Sequence, residues 1–115
     1  ALLAKVRPNE DICHAIAAIC AREGIARAAI HGIGSLNGVR FADGSSVASH
    51  ATEVVIREGR VEGSSADEVR LAIDVVDIDG GISSGTLVPG QNPVCVTFEL
   101  VIEPLDADGA GILPG

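Results

Sequence analysis

Apolar and polar residues alternate most regularly between Val94 and Ile102. Val94, Val96, Phe98, Leu100 and Ile102 fall on one face of an extended strand, and Cys95, Thr97, Glu99 and Val101 on the other. A second alternation opens the stretch Val69–Leu87. Val69, Leu71, Ile73 and Val75 share one face, and Arg70, Ala72 and Asp74 the opposite one, with Asp79-Gly80-Gly81 as a turn signal, so the stretch predicts a β-hairpin. Near the start, LLAKVR predicts a short strand over 2–7, broken by Pro8-Asn9. Asn9 reads as a helix N-cap, with Glu10 and Asp11 at the positive helix end, and the helix is expected to run to about Glu23. Its apolar stripe is Ile12, Ile16 and Ile19, widened by Cys13, Ala15 and Cys20. Gly24 suits the left-handed position after the helix, with Ile25 as its apolar partner.

Further strands are expected over Ala26–Leu36 and Thr52–Arg57, with Val61 on an extension beyond Gly59. Asn37-Gly38 predicts a hairpin returning through Val39–Ala42, followed by a polar loop over 43–51. Residues 63–68 read as a polar turn, and the tail from about 103 to 115, with Asp108-Gly109 as a turn signal, as loosely attached. One long helix and six or seven strands, mostly joined by hairpins, imply a single α+β domain over 1–115. Its sheet should be mostly antiparallel, with the helix on one face.

Composition narrows the possible functions. The 115 residues carry a net charge of −8, and the eight bases are scattered. Nucleic-acid binding favours a basic patch, and single strands favour exposed aromatics, yet Phe41 and Phe98 are the only aromatic residues. No apolar run reaches the roughly 20 residues of a membrane span. The opening ALLAKVRPNE is too short and too soon charged for a signal peptide, and its initial Ala leads us to expect residues upstream. Cys13, Cys20 and Cys95 are odd in number without CxxC spacing, which fits reduced thiols in a cytoplasmic protein.

Four blocks in order carry a family resemblance: VRPNEDICHAI, GIARAAIHGIGSL (Gly24 to Leu36), the Val69–Leu87 hairpin, and TFELVI (Thr97 to Ile102). Together they resemble the PPC ("plants and prokaryotes conserved") domain over roughly Leu3 to Ile102. The resemblance implies a homotrimer of α+β subunits, in a family whose prokaryotic members are called "putative DNA-binding" proteins. It also implies, in much of the family, a His-x-His pair on the first hairpin strand and a Gly-Gly-His-Leu on the second, suiting a metal. Here Arg70 and Ala72 fall at the first pair, and Ser84-Gly85-Thr86-Leu87 puts Thr86 at the third histidine. Arg and Ala cannot ligate, so no metal and no cofactor are expected.

The remaining candidates form an intersubunit cleft: Arg70, Asp74, Thr86, Glu99 and His31. An odd hairpin connection, such as a three-residue Asp79-Gly80-Gly81 turn with a bulge, puts Arg70, Asp74 and Thr86 on one face, whereas a two-residue loop sends Thr86 to the other. Three readings of Arg70 stay open: an ion pair with Glu99 at a subunit interface, a guanidinium awaiting a carboxylate or phosphate, or a solvated face. His31 faces a pocket or makes an ordinary hydrogen bond, His14 lies off the helix stripe, and His50 sits in a polar loop. Asp74, Asp77 and Asp79 lack the EF-hand order, with Asp79 read as a turn former. GIGSLNG lacks phosphate-loop spacing, so its glycines are read as allowing close backbone approach. Ser35 and Ser84 have no nucleophile-elbow context.

These readings favour a noncatalytic homotrimeric assembly or interaction domain, with no catalytic residue assigned and its main partner itself. Its net charge disfavours DNA, which enters only by resemblance. The alternative is a small-molecule anion site, possibly enzymatic, in the intersubunit cleft.

Overall fold

The computed structural model describes residues 1–106. Six strands form one antiparallel sheet: β1 (Leu2–Val6), β2 (Arg27–Leu36), β5 (Thr52–Glu62), β6 (Val69–Val76), β7 (Ile82–Thr86) and β8 (Val94–Pro104). Their order across the sheet is β1-β8-β2-β5-β6-β7. β3 (Val39–Arg40) and β4 (Ser46–Val47) form a separate ribbon. One helix, α1 (Ile12–Arg22), packs on one sheet face. Among the described residues no helix is long and apolar enough to cross a membrane.

The helix begins two residues later than expected. Asp11, not Asn9, is the cap, and its carboxylate accepts from the His14 amide at 2.9 Å. Asn9 instead turns the chain at φ 70 and donates its amide to the Val94 carbonyl. At the far end Gly24 holds φ +70, and the Ile25 amide bonds back to the Cys20 carbonyl, as the C-terminal motif requires. Ile12, Cys13, Ile16 and Cys20 are buried together with Ile30, Ile73, Phe98, Leu100 and Ile102 from the sheet. The expected apolar stripe therefore faces the core.

The Asn37-Gly38 hairpin into β3 does not form. Both edges of β2 are already taken, by β8 and β5, so β3 has no edge of β2 to join. The Gly38 amide bonds to the Ser49 carbonyl, and β3 pairs with β4 inside the supposed polar loop. Phe41 then bridges to Leu87 and lays its ring over Gly85, attaching the ribbon to the hairpin. A buried Asn92 ties the same region to the helix start. Its side chain accepts from the Arg40 amide at 2.7 Å and donates to the Val88 carbonyl at 2.6 Å, while its amide reaches Asp11 at 2.9 Å.

β5 is continuous through Gly59 to Glu62, with a bulge against β6 between Ile56 and Glu58. β8 runs to Pro104, and the Leu105 amide still bonds to the Arg27 carbonyl, so the chain stays attached beyond 103. The Asp108-Gly109 turn lies outside the described residues. Within β8 the alternation breaks once. A register shift between Gly34 and Leu36 of β2 leaves Val96 65 % exposed, away from the core that holds Val94 and Phe98. The close-approach reading of GIGSL holds: a Cβ at Gly34 would stand 2.5 Å from the Thr97 carbonyl oxygen and 2.6 Å from Phe98 Cα.

Candidate functional site

α1 covers one sheet face, so the side chains of opposite parity point away from it. Register gives one row directly: Lys5 opposite Glu99, Glu99 opposite Ile33, Ile33 opposite Val55, Val55 opposite Asp74, and Asp74 opposite Ser84. A parallel row holds Glu103, Ala29, Arg60 and Arg70. This open face also carries the exposed apolar side chains Leu3, Ile33, Val55, Val76 and Ile82. Leu3, Ile33, Val55 and Val101, with His31 and Glu99, line a groove of ≈ 610 Å³ across β1, β8, β2 and β5.

The predicted cleft residues all lie on this face, but in two groups. Arg70, Asp74 and Thr86 share the β6–β7 part of the face, without contact between Arg70 and Asp74, because the β6–β7 connection from Asp77 to Gly81 is odd in length. Thr86 pairs with Ala72 and Ser84 with Asp74, so Thr86 shares the Arg70 face. Asp77 rather than Asp79 forms this turn, its Oδ1 accepting from the amides of Asp79 and Gly81 at 2.9 Å each. Asp74 accepts from the Ser84 hydroxyl at 2.6 Å and lies 3.6 Å from Arg57 Nε.

His31 and Glu99 belong to the other group. Glu99 is the register partner of Lys5 and Ile33, and both β2 and β5 stand between it and β6. Three ladder spacings are about 14 Å. That separation rules out an Arg70–Glu99 ion pair within one subunit. His31 lines the apolar groove, its Nε2 lying 3.6 Å from Glu103 Oε2.

Arg60 was overlooked in the sequence. It stands directly opposite Arg70 across the β5–β6 ladder, and its Nη1 is buried without a hydrogen-bond partner among the described residues. The single signal available was the count of residues through the β5 bulge, which sets that register. Glu62, two residues on, is engaged by Arg27 at 2.8 Å, and that hydrogen bond is the main cause holding its carboxyl below the ordinary carboxylate range. Burial pushes the Cys13 thiol up to about 12 and raises Cys20 as well, so neither serves as a nucleophile at neutral pH. Among the described residues no three His, Cys, Asp or Glu side chains gather as a metal site.

A six-stranded antiparallel sheet with one helix on one face and an open second face defines an α+β domain of a recognisable class. The sequence pattern of the Plants and Prokaryotes Conserved (PCC) domain, also abbreviated PPC, matches residues 1–106, and the chain belongs to that family. A hypothetical protein from Salmonella enterica has a similar structure at 24 % identity and TM-score 0.72, covering 98 % of this chain and 90 % of its own. A "plant- and prokaryote-conserved (PPC) protein" of Pyrococcus horikoshii aligns at 19 % identity and TM-score 0.67, over 99 % of this chain and 90 % of its own. A "putative DNA binding protein" of Bacteroides thetaiotaomicron aligns at 20 % identity and TM-score 0.72, over 96 % and 88 %. At these identities the likeness is one of fold. No curated protein sequence matches the chain.

Proposed function

We propose that this chain is a noncatalytic assembly domain that associates as a homotrimer through its open sheet face. The uncovered apolar side chains of that face carry the reading. Leu3 is 78 %, Ile33 61 % and Ile82 75 % exposed, all on the side the helix leaves bare. Burying such a face between copies removes apolar surface that a lone subunit would leave in water. Much of its charge is already paired: Lys5 stands opposite Glu99, Arg57 lies 3.6 Å from Asp74, and Arg27 bonds to Glu62 at 2.8 Å. Threefold symmetry comes from the family resemblance.

The same mixture of charges weighs against DNA. Five of the eight bases, Lys5, Arg27, Arg57, Arg60 and Arg70, lie on this face, but acids stand among them, and the net charge of −8 repels a phosphate backbone. Sedimentation at micromolar concentration should give the mass of three chains, and a clean monomer would refute the proposal. On the same sample a duplex oligonucleotide should show no salt-sensitive mobility shift near physiological salt. Such a shift would move the function to nucleic acid.

A further inference from the structure

We propose that Arg60 and Arg70 hold a small oxyanion, the carboxylate or phosphate of a small molecule, in the cavity above Ala72. The site goes beyond the assembly role and is built entirely within one subunit. The two arginines are register partners on adjacent strands, both directed to the open face. Like charges directly opposite one another weaken a ladder unless something of opposite charge lies between them. Arg60 Nη1 is buried with its hydrogen bonds unmade, a costly state for a guanidinium donor.

Among the described residues no carboxylate, Glu58 included, makes an ion pair or hydrogen bond with Arg60 or Arg70. Glu62 accepts from Arg27 at both Nε (2.8 Å) and Nη2 (3.4 Å), and Arg60 adds only a weaker pull on it. Asp74 lies beside Arg57 and bonds to Ser84. Ala72, opposite Glu58, contributes only a methyl group, and the resulting cavity of ≈ 430 Å³ is lined by Glu58, Arg60, Glu62, Arg70 and Ala72.

The charges around the cavity define the ligand class. With Glu62 neutralised by Arg27, two guanidinium groups face the single carboxylate of Glu58, a small positive excess. That excess suits an anion of one or two charges rather than a polyphosphate. Glu58 is placed to accept from a hydroxyl or ammonium group on the same molecule. The planar guanidinium fork matches both carboxylate and phosphate oxygens.

The test titrates the full chain with inorganic phosphate and, separately, acetate, each at constant ionic strength against chloride, by calorimetry and thermal melting. One of the two should saturate at about one site per subunit, and the one that does identifies the headgroup. Arg60→Met and Arg70→Met should each weaken it roughly tenfold or more, while Arg22→Met, on the exposed helix surface, should leave it unchanged. Arg60→Met also removes an unsatisfied donor, so without anion it should melt no lower than the parent chain. No saturable response to either anion, or equal responses in all three variants, would overturn the site. So would an Arg60→Met chain that melts far below a parent indifferent to both anions. Sedimentation of the same samples separates the two proposals: a monomer that binds phosphate keeps the site and removes the trimer, and a trimer that ignores both anions does the reverse.

Discussion

Ile33→Glu tests whether the open sheet face is a subunit interface. Ile33 is 61 % exposed in the subunit and lies between Glu99 on β8 and Val55 on β5. Burying an isoleucine side chain completely is worth about 1.5–3 kcal/mol, so the exposed part at Ile33 contributes about 1–2 kcal/mol per subunit if assembly covers it. Glutamate loses that contribution and places a carboxylate beside Glu99 in a region that assembly would dry. An uncompensated buried charge costs about 3 kcal/mol or more. The combined loss of about 4 kcal/mol per subunit corresponds to association weaker by nearly three decades, on the order of one decade per 1.4 kcal/mol. The subunit itself should lose about 1 kcal/mol or less, because the position is solvated there and only strand preference changes. Sedimentation velocity across a concentration series, with circular dichroism on the same samples, reads both quantities. The expected result is a folded monomer at concentrations where the parent chain is a trimer. An Ile33→Glu chain that keeps the parent's mass throughout the series would show that Ile33 lies outside any interface. Loss of fold in step with loss of assembly would refute the separation of core and open face on which the estimate rests.

Asn92→Ala removes a fully buried side-chain amide, strands the Arg40 N–H and leaves the Val88 carbonyl only the 3.3 Å bond from the Gln91 amide, and should cost about 1–3 kcal/mol in urea unfolding. A loss below about 1 kcal/mol would mean that those groups find other partners. Cys13 should resist a thiol reagent at pH 8 in the folded chain while half-buried Cys95 reacts, and should label only on unfolding. Because folding raises the Cys13 thiol from 9.0 to about 12, its neutral form contributes stability that is fully present below about pH 9. That contribution is lost as pH rises from 9 to 12, so Cys13→Ala should flatten the alkaline fall in stability; an unchanged pH profile would count against the shift.

Local pattern alone determined much of this fold. The 3.6-residue stripe through Ile12, Ile16 and Ile19 and the two-residue alternations in 69–76 and 98–102 specify a helix and strands with one buried face each, because burial acts on a face whatever lies across it. Parity alone left the side of Thr86 open between an odd and a two-residue connection, and the five-residue connection from Asp77 to Gly81 decided it. What tertiary structure decided is which strands are neighbours. Sequence distance does not reveal that β8 inserts between β1 and β2, which denies Asn37-Gly38 its hairpin and separates Glu99 from Arg70 by two strands. Nor does it reveal the β5 bulge that brings Arg60 opposite Arg70 and buries an unpaired guanidinium nitrogen. A ladder's register is set by contacts summed along two whole strands, so one extra residue in a bulge changes every partner beyond it. No local window of residues contains that sum.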